Sequence, residues 1–169
     1  NRLDRLPASI GKLKSLEYLN LDRNKLSTLP AQIGLLENLK WLRLNGNALS
    51  GLPPEIGQLS SLKRLYLKGN KLKVIPPEIK ELRNLETLSL SDNEIQDVPS
   101  WIGELRNLIC LELDGNRIKS MPEEIRKLKQ LKALTLHDNG FPVAGKDTKK
   151  EDRRREQLRE WLPGCTISF

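Results

Sequence analysis

The stretch from Leu39 to Leu59 reads L-K-W-L-R-L-N-G-N-A-L-S-G-L-P-P-E-I-G-Q-L. Its first half alternates apolar and polar residues, which is the period of a half-buried strand. Its second half places two prolines before an I-G pair, and this spacing suits an irregular or short helical return. One such unit cannot bury its apolar side alone, so the stretch predicts a chain whose copies stack on one another.

The rest of the chain repeats this stretch at a fixed interval. Asn occurs every 23 residues, at positions 1, 24, 47, 70, 93, 116 and 139. Around each Asn the pattern is L-x-x-L-x-L-x-x-N-x-L-x-x-L-P-x-x-I-G-x-L, with other apolar residues replacing Leu at a few positions and Lys80 and Arg126 replacing Gly. The pattern indicates six complete copies with a partial copy at each end.

This pattern resembles the leucine-rich repeat family, in the 23-residue class found in intracellular signalling scaffolds and many bacterial proteins. The resemblance implies an α/β fold: a right-handed solenoid with a concave parallel β-sheet, irregular or short-helical convex returns and a C-terminal helix-strand cap. We expect a single domain over residues 1–169, with the repeats in 1–144 and the cap in 145–169. Because Asn1 is a repeat Asn without its strand, we expect the N-terminus to be truncated.

The repeated Asn is expected to be structural. At the corner after each strand its amide can bond backbone groups on both sides of the bend, which would otherwise be buried without partners. The expected structural Asn ladder consists of Asn24, Asn47, Asn70, Asn93, Asn116 and Asn139.

Seven parallel strands are predicted, beginning near Leu16, Leu39, Leu62, Leu85, Leu108, Leu131 and Leu162. In the last strand, Leu162, Cys165 and Ile167 take the places of the three Leu residues, with Cys165 as the middle core residue. The preceding segment is predicted to form a helix in which Leu158, Trp161 and Leu162 share one face. This face is expected to cover the open end of the core.

The segment G-F-P-V-A-G-K-D, from Gly140 to Asp147, nearly matches the phosphate-binding motif G-x-x-x-x-G-K-[ST]. Asp147 stands where the motif needs Ser or Thr for magnesium, and a carboxylate there would repel phosphate. Gly140 and Phe141 also fall on repeat positions, and T-K-K-E from Thr148 is typical of a helix capping box. The segment is therefore predicted to be the exit from the last repeat, with no nucleotide or other cofactor.

Candidate catalytic residues are few, since the chain has two Cys and one His. Cys110 and His137 are predicted to lie four residues apart along the strand direction, about 13 Å, too far for a nucleophile–base pair. Cys110 and Cys165 are predicted to be free thiols two strands apart. His137 and Asp114 share a column and could touch as a surface pair. Three Cys and His residues cannot make a usual four-ligand zinc site, so we expect no metal. Because no catalytic set of side chains is found, we also expect no enzymatic activity.

The net charge of +7 permits an acidic partner or nucleic acid without requiring either. No apolar run approaches ~20 residues, so no membrane segment is expected. The C-terminus lacks a Cys-rich cap, which favours an intracellular or bacterial protein. The localisation stays open, because a signal peptide cannot be assessed on a chain expected to be truncated.

The outward-facing columns of the strands are the third, fifth and seventh positions counted from the first Leu, and the fold does not dictate them. These columns and their flanking residues carry a net charge of +4 in the first three strands and −4 in the next three. All aromatic residues of this concave face lie in the basic half, together with residue types enriched at interface hot spots. The predicted partner-binding patch consists of Tyr18, Trp41, Arg43, Arg64, Tyr66 and Lys68.

We therefore predict a monomeric protein–protein interaction module or scaffold, whose concave face binds a protein partner with an acidic or mixed surface. The alternative is nucleic-acid binding, with bases stacked on Tyr18, Trp41 and Tyr66. The acidic second half disfavours that alternative, because it would repel a continuous track of phosphates. A further alternative is the recognition segment of a larger effector or signalling enzyme.

Overall fold

The computed structural model describes residues 1–140 and 148–169. Within them the chain forms one sheet of seven parallel strands, each three residues long and arranged in chain order. The strands are β1 (Tyr18–Asn20), β2 (Trp41–Arg43), β3 (Arg64–Tyr66), β4 (Thr87–Ser89), β5 (Cys110–Glu112), β6 (Ala133–Thr135) and β7 (Thr166–Ser168). The predicted solenoid, with its C-terminal helix and strand, is confirmed.

Short 3-10 helices form the convex side of the solenoid. Each of those in the described residues follows a Pro that is preceded by an apolar residue, which is Leu in three cases and Ile, Val or Met in the others, and none has a side-chain cap. Because Pro fixes its own φ and lacks an N–H, it suits the position before a helical turn without losing a hydrogen bond. The helices are Ala8–Lys12, Ala31–Leu35, Pro54–Gln58, Pro77–Glu81, Ser100–Glu104 and Glu123–Lys127.

The core lies between the sheet and the convex helices. Leu39, Leu42 and Leu44, together with Ile56 of the following I-G pair, are fully buried. Equivalent residues stack from repeat to repeat, as Leu42 does on Leu65 in the register of β2 and β3. This stacking joins the repeats into one continuous apolar core.

The strands begin later than predicted. β2 starts at Trp41, two residues after Leu39, and the other strands of the repeats show the same offset. The reason is that the Leu39 N–H donates to the Leu36 carbonyl oxygen at 2.9 Å and closes a turn. The first Leu of each motif therefore belongs to the end of the convex return.

The predicted register of the last strand is wrong. β7 pairs Ile167 with Leu134, so Ile167 rather than Cys165 takes the middle core position. Cys165 lies two residues earlier, half-buried against the edge of the core.

The cause of this shift is the helix before the strand. α1 (Thr148–Trp161) extends its hydrogen bonding to Leu162, whose N–H donates to the Leu158 carbonyl oxygen at 3.0 Å. Leu162 therefore ends the helix instead of starting the strand, although both Leu residues are buried as predicted. Gly164, with φ of 87°, then turns the chain into β7.

Two sequence interpretations concern parts outside the described residues. The near match to a phosphate-binding motif lies there from Phe141 to Asp147, and the side chains of the capping box at Thr148 and Glu151 are likewise not described. Among the helices of the described residues, none has the length and apolar character needed to cross a bilayer.

The Asn amide in each corner ties one repeat to the one before it. Asn70 Nδ2 donates to the Leu67 carbonyl oxygen of its own turn at 2.9 Å and to that of Leu44 in the preceding repeat at 3.0 Å. Its Oδ1 accepts the Leu49 N–H at 3.0 Å. The same three contacts recur at Asn47, Asn93, Asn116 and Asn139.

The residue before each of these Asn residues has a left-handed backbone conformation. Gly69 has φ of 66°, and Gly46 and Gly115 have similar values. Arg23, Asp92 and Asp138 adopt the same conformation at the equivalent position of their repeats. Since this region favours Gly and tolerates Asp, the G-N and D-N pairs of the sequence mark these corners.

Neighbouring convex helices pack closely through the Gly of the I-G pair. A Cβ on Gly34 would overlap the Glu55 carbonyl oxygen of the next helix. Lys80 replaces this Gly in the helix Pro77–Glu81, which lies farther from the following helix, Ser100–Glu104. Trp101 lies at this wider step, half-buried against the core.

Substitution of Gly34 by Ala tests this packing. We expect Gly34→Ala to lower the free energy of unfolding by about 1–3 kcal/mol, because the added methyl group meets backbone that cannot move aside. Gly51→Ala is the control, since a Cβ there would have nothing within 4 Å, and it should change stability by less than about 0.5 kcal/mol. Urea unfolding followed by circular dichroism measures both; equal effects would contradict the close packing.

A second pair of variants tests the Asn amides. Asn70→Ala leaves the backbone groups of Leu44 and Leu49 without the partners that Asn70 provides, and should lower the free energy of unfolding by about 1–3 kcal/mol. Asn84 is exposed and donates one bond, to the Ser60 carbonyl oxygen, so Asn84→Ala should cost at most about 1 kcal/mol. Thermal unfolding compares the two, and an unchanged melting temperature for Asn70→Ala would contradict the structural role.

Candidate functional site

The strand register brings the predicted patch residues together on three adjacent strands. Tyr18, Trp41 and Arg64 are aligned across β1, β2 and β3 in the third column. Arg43 and Tyr66 are aligned next to them in the fifth column. Lys68 lies two residues beyond Tyr66, at the margin of this group. The position of all six residues follows from strand parity and the fixed period.

The third column forms a continuous row of contacts. The rings of Tyr18 and Trp41 meet edge to face, with centroids 5.6 Å apart and planes at 70°. On the far side of this pair, the Arg64 guanidinium carbon lies over the Trp41 ring, 4.3 Å from its centroid. Such a cation–π contact stabilises both side chains in one orientation. Tyr18 and Trp41 nevertheless stay 44% and 38% exposed, respectively, and so can contact a partner.

The fifth column is held by an ion pair. Arg43 lies over the Tyr66 ring, 5.4 Å from its centroid, and bonds Asp22 through Nε and Nη2, both at 2.8 Å. The hydrogen bond and the negative charge of Asp22 raise the pKa of Arg43, which favours its positively charged form. Asp22 also accepts the Asn45 N–H at 2.8 Å, which fixes the carboxylate to the backbone of the next repeat.

Ion pairs reduce the contrast in charge between the basic and acidic halves of the concave face that the sequence indicates. Lys40 pairs with a carboxylate of its own basic half, whereas Lys63 and Lys68 pair across the boundary with the acidic half. The distances are 2.9 Å from Lys40 to Glu17, 2.8 Å from Lys63 to Glu86 and 3.3 Å from Lys68 to Asp92. Most basic side chains of the face are therefore locally neutralised, which a count of charges along the sequence cannot detect.

A second set of amides, which was not predicted from the sequence, lies at the entry edge of the sheet. Asn38, Asn84 and Asn107 each donate Nδ2 to a carbonyl oxygen of the preceding repeat, at 2.8–2.9 Å. Their spacing in multiples of 23 residues is the signal that could have found them. Two of these residues border an open groove of about 610 Å³, lined by Lys40, Ser61, Lys63, Asn84, Glu86, Asn107, Ile109 and Gln130.

Asp114 and His137 do touch, but through the backbone. Asp114 Oδ1 accepts the His137 backbone N–H at 2.8 Å, and its Oδ2 accepts the Thr135 hydroxyl at 2.6 Å. The carboxylate thus orients the end of the neighbouring strand, as Asp22 does for Asn45 in the first repeats. This arrangement does not make the imidazole of His137 a general base.

The two cysteines are free thiols in half-buried positions. Burial raises the pKa of both, and the charge of Glu112 raises the pKa of Cys110 further. Since the thiolate is the reactive form, both environments favour the unreactive protonated thiol. Among the residues that the structure describes, no three His, Cys, Asp or Glu side chains are placed to hold a metal ion together.

Comparison with known proteins gives a consistent family and fold. A family model described as a leucine-rich repeat region matches residues 1–71 and 54–159. A leucine-rich repeat protein of Leptospira interrogans is similar in structure, with 28% identity, a TM-score of 0.65 and coverage of 100% of this chain and 58% of that chain. A TDR receptor is also similar, with 26% identity, a TM-score of 0.78 and coverage of 96% of this chain and 27% of that chain.

This chain therefore spans less than two thirds of both similar structures. The comparison with curated proteins gives no match. The matches identify the architecture.

Alkylation of Cys110 tests the electrostatics of this face. In a Cys165→Ser variant, we expect the iodoacetamide rate to rise with pH around a midpoint above that of free cysteine, because the raised pKa withholds the thiolate at neutral pH. Adding Glu112→Gln should move the midpoint to lower pH, since a negative charge near the thiol is lost. A midpoint at or below that of free cysteine would contradict the assigned environment.

Proposed function

Because the chain belongs to the leucine-rich repeat family, we propose that it is a protein-interaction module whose concave face binds a partner protein. Domains of this family are general protein-interaction modules. The observation that carries the proposal is the row of Tyr18, Trp41 and Arg64, in which each side chain contacts the next and the two rings stay exposed on a parallel sheet.

The patch has the physical properties of a binding hot spot. Tyr, Trp and Arg are the residue types that contribute most when they are buried by a partner. Here the side chains are already oriented by each other and by Asp22, so little conformational entropy remains to be lost on binding. These side chains stand on three strands that pair in register, and the residues of these strands that point into the core, such as Leu42 and Leu65, are fully buried.

The nature of the partner follows from the same side chains. Exposed rings beside the Arg64 guanidinium favour a protein surface that is acidic or mixed and offers apolar groups. We propose that the chain acts as a monomer, as a scaffold without a reaction of its own. A role as the recognition segment of a larger effector or signalling enzyme is also compatible with the partial coverage of the similar structures.

Nucleic-acid binding is the second candidate, and the ion pairs weigh against it. A phosphate that approached Lys40, Arg43 or Lys63 would meet the carboxylate already paired with that residue. Single-strand binding by stacking requires a continuous positive groove beside the aromatic rings. The alternation of basic and acidic side chains on this face fits a protein partner better.

A substitution of Trp41 tests the proposal. We expect Trp41→Ala to weaken partner binding by about 2 kcal/mol or more, about 30-fold, while the fold stays intact. The control is Lys132→Ala, an exposed residue of the concave face in the acidic half, which should bind as the unsubstituted protein does. Partners are captured quantitatively by the unsubstituted protein, and their affinities for both variants are then measured by calorimetry.

Two outcomes would contradict the proposal. One is normal binding by Trp41→Ala together with loss of binding after substitutions in the convex helices. The other is tight binding of single-stranded nucleic acid that weakens steeply with salt, since phosphate contact requires that dependence.

A further inference from the structure

Arg64 differs from the other basic residues of the patch in its partner. Four of the patch and flanking residues make ion pairs, namely Lys40, Arg43, Lys63 and Lys68. Among the described side chains, those of residues 1–140 and 153–169, no carboxylate lies at ion-pair distance from Arg64, and its guanidinium lies over the Trp41 ring instead. Arg64 thus has a positive charge that no described carboxylate neutralises at short range.

The stacked position suits Arg64 to bind a carboxylate. A guanidinium over an aromatic face uses that face for a cation–π contact and keeps its in-plane N–H donors for another group. Those donors form a planar fork that matches a carboxylate bidentately. Because Arg64 is half-buried and held by Trp41, the fork is oriented before a ligand arrives.

An adjacent open depression offers a site of different chemistry. It has a volume of about 330 Å³ and is lined by Glu17, Tyr18, Lys40 and Trp41. Lys40 and Glu17 form an ion pair at 2.9 Å, so each neutralises the charge of the other. The remaining lining consists of the two exposed rings, which favour an apolar side chain of a ligand.

The distance between these two sites matches an extended peptide. The Arg64 guanidinium carbon lies 4.3 Å from the Trp41 ring centroid, and the Tyr18 centroid lies 5.6 Å from it on the other side. A side chain that rests against both rings therefore lies ~7 Å from the guanidinium. In an extended peptide, residues i and i+2 point to the same side and are also ~7 Å apart. Both sites can therefore be occupied by side chains on one face of a single extended segment.

We propose that the ligand is an extended peptide that crosses β1 to β3, with an apolar side chain against the Tyr18 and Trp41 rings and a carboxylate two residues away on Arg64. This proposal rests on the proposed function and narrows its partner to a peptide motif, apolar-x-acidic in either direction. The carboxylate comes from an Asp or Glu side chain or from the C-terminus of the peptide, since both present the same group to the fork.

A peptide selection identifies the motif even when the partner protein is unidentified. Two random peptide libraries are selected on the unsubstituted protein, one with a free C-terminus and one attached through its C-terminus, and both are counter-selected on Trp41→Ala. We expect Trp41-dependent peptides with an acidic group two positions from an apolar residue. Enrichment in both libraries indicates a side-chain carboxylate, and enrichment only with a free C-terminus indicates the terminal one.

Affinity measurements then isolate Arg64. With the best peptide, Arg64→Lys should weaken binding about tenfold or more, because Lys keeps the charge but loses the planar fork. Arg126→Lys is the matched control, since Arg126 pairs with Glu123 on a convex helix at 2.7 Å, and it should bind unchanged. Replacing the peptide carboxylate by an amide should weaken binding to the unsubstituted protein about tenfold or more as well. The same replacement should weaken binding to the Arg64→Gln variant less than about twofold, because the carboxylate and Arg64 are directly coupled.

The outcomes separate this inference from the function on which it rests. Trp41-dependent peptides without an acidic preference, bound equally by Arg64→Lys, overturn the carboxylate site alone. The absence of any Trp41-dependent peptide overturns the peptide inference, and it overturns the proposed binding face as well only if captured partner proteins also bind Trp41→Ala normally. Melting temperatures of the variants exclude unfolding as the cause of lost binding.

Discussion

The structure depends on the bonds that the repeated Asn amides make to the backbone on both sides of each corner. Asn70 serves its own turn and the preceding repeat, with the Leu44 carbonyl oxygen and the Leu49 N–H as partners in that repeat. A corner that shifted by one residue would leave these buried backbone groups without partners. The amides therefore keep consecutive repeats in register, and the register aligns the side chains of the concave face into columns.

The sequence was sufficient for the repeat architecture because its period and its parity are both maintained at the positions that matter to the core. It was insufficient where two local patterns overlap. Leu162, Cys165 and Ile167 match the strand motif, but Leu162 also continues α1 through its bond to Leu158, and the helix prevailed. The late start of each strand has a similar origin, since the first Leu closes a turn before the sheet begins.

The membership of the candidate site was predictable from parity, whereas its electrostatics were not. Tyr18, Trp41 and Arg64 had to share a column once the period was known. Which charges neutralise each other depends on side-chain reach between repeats, as in the pair of Lys63 and Glu86. The net charges of the two halves therefore conceal the feature on which the proposed peptide site rests, a guanidinium stacked on Trp41 without a carboxylate partner at ion-pair distance among the described side chains.

Native-state hydrogen exchange tests the central claim about the Asn amides most directly. Four backbone N–H groups donate to ladder Asn side chains in the middle of the solenoid, those of Leu49, Leu72, Ile95 and Ile118. We predict that all four exchange among the slowest amides of the protein, with opening free energies within about 1 kcal/mol of one another, because none can open without separating two repeats. Exchange of these four amides at the rate of an unprotected peptide would contradict the role of the Asn amides.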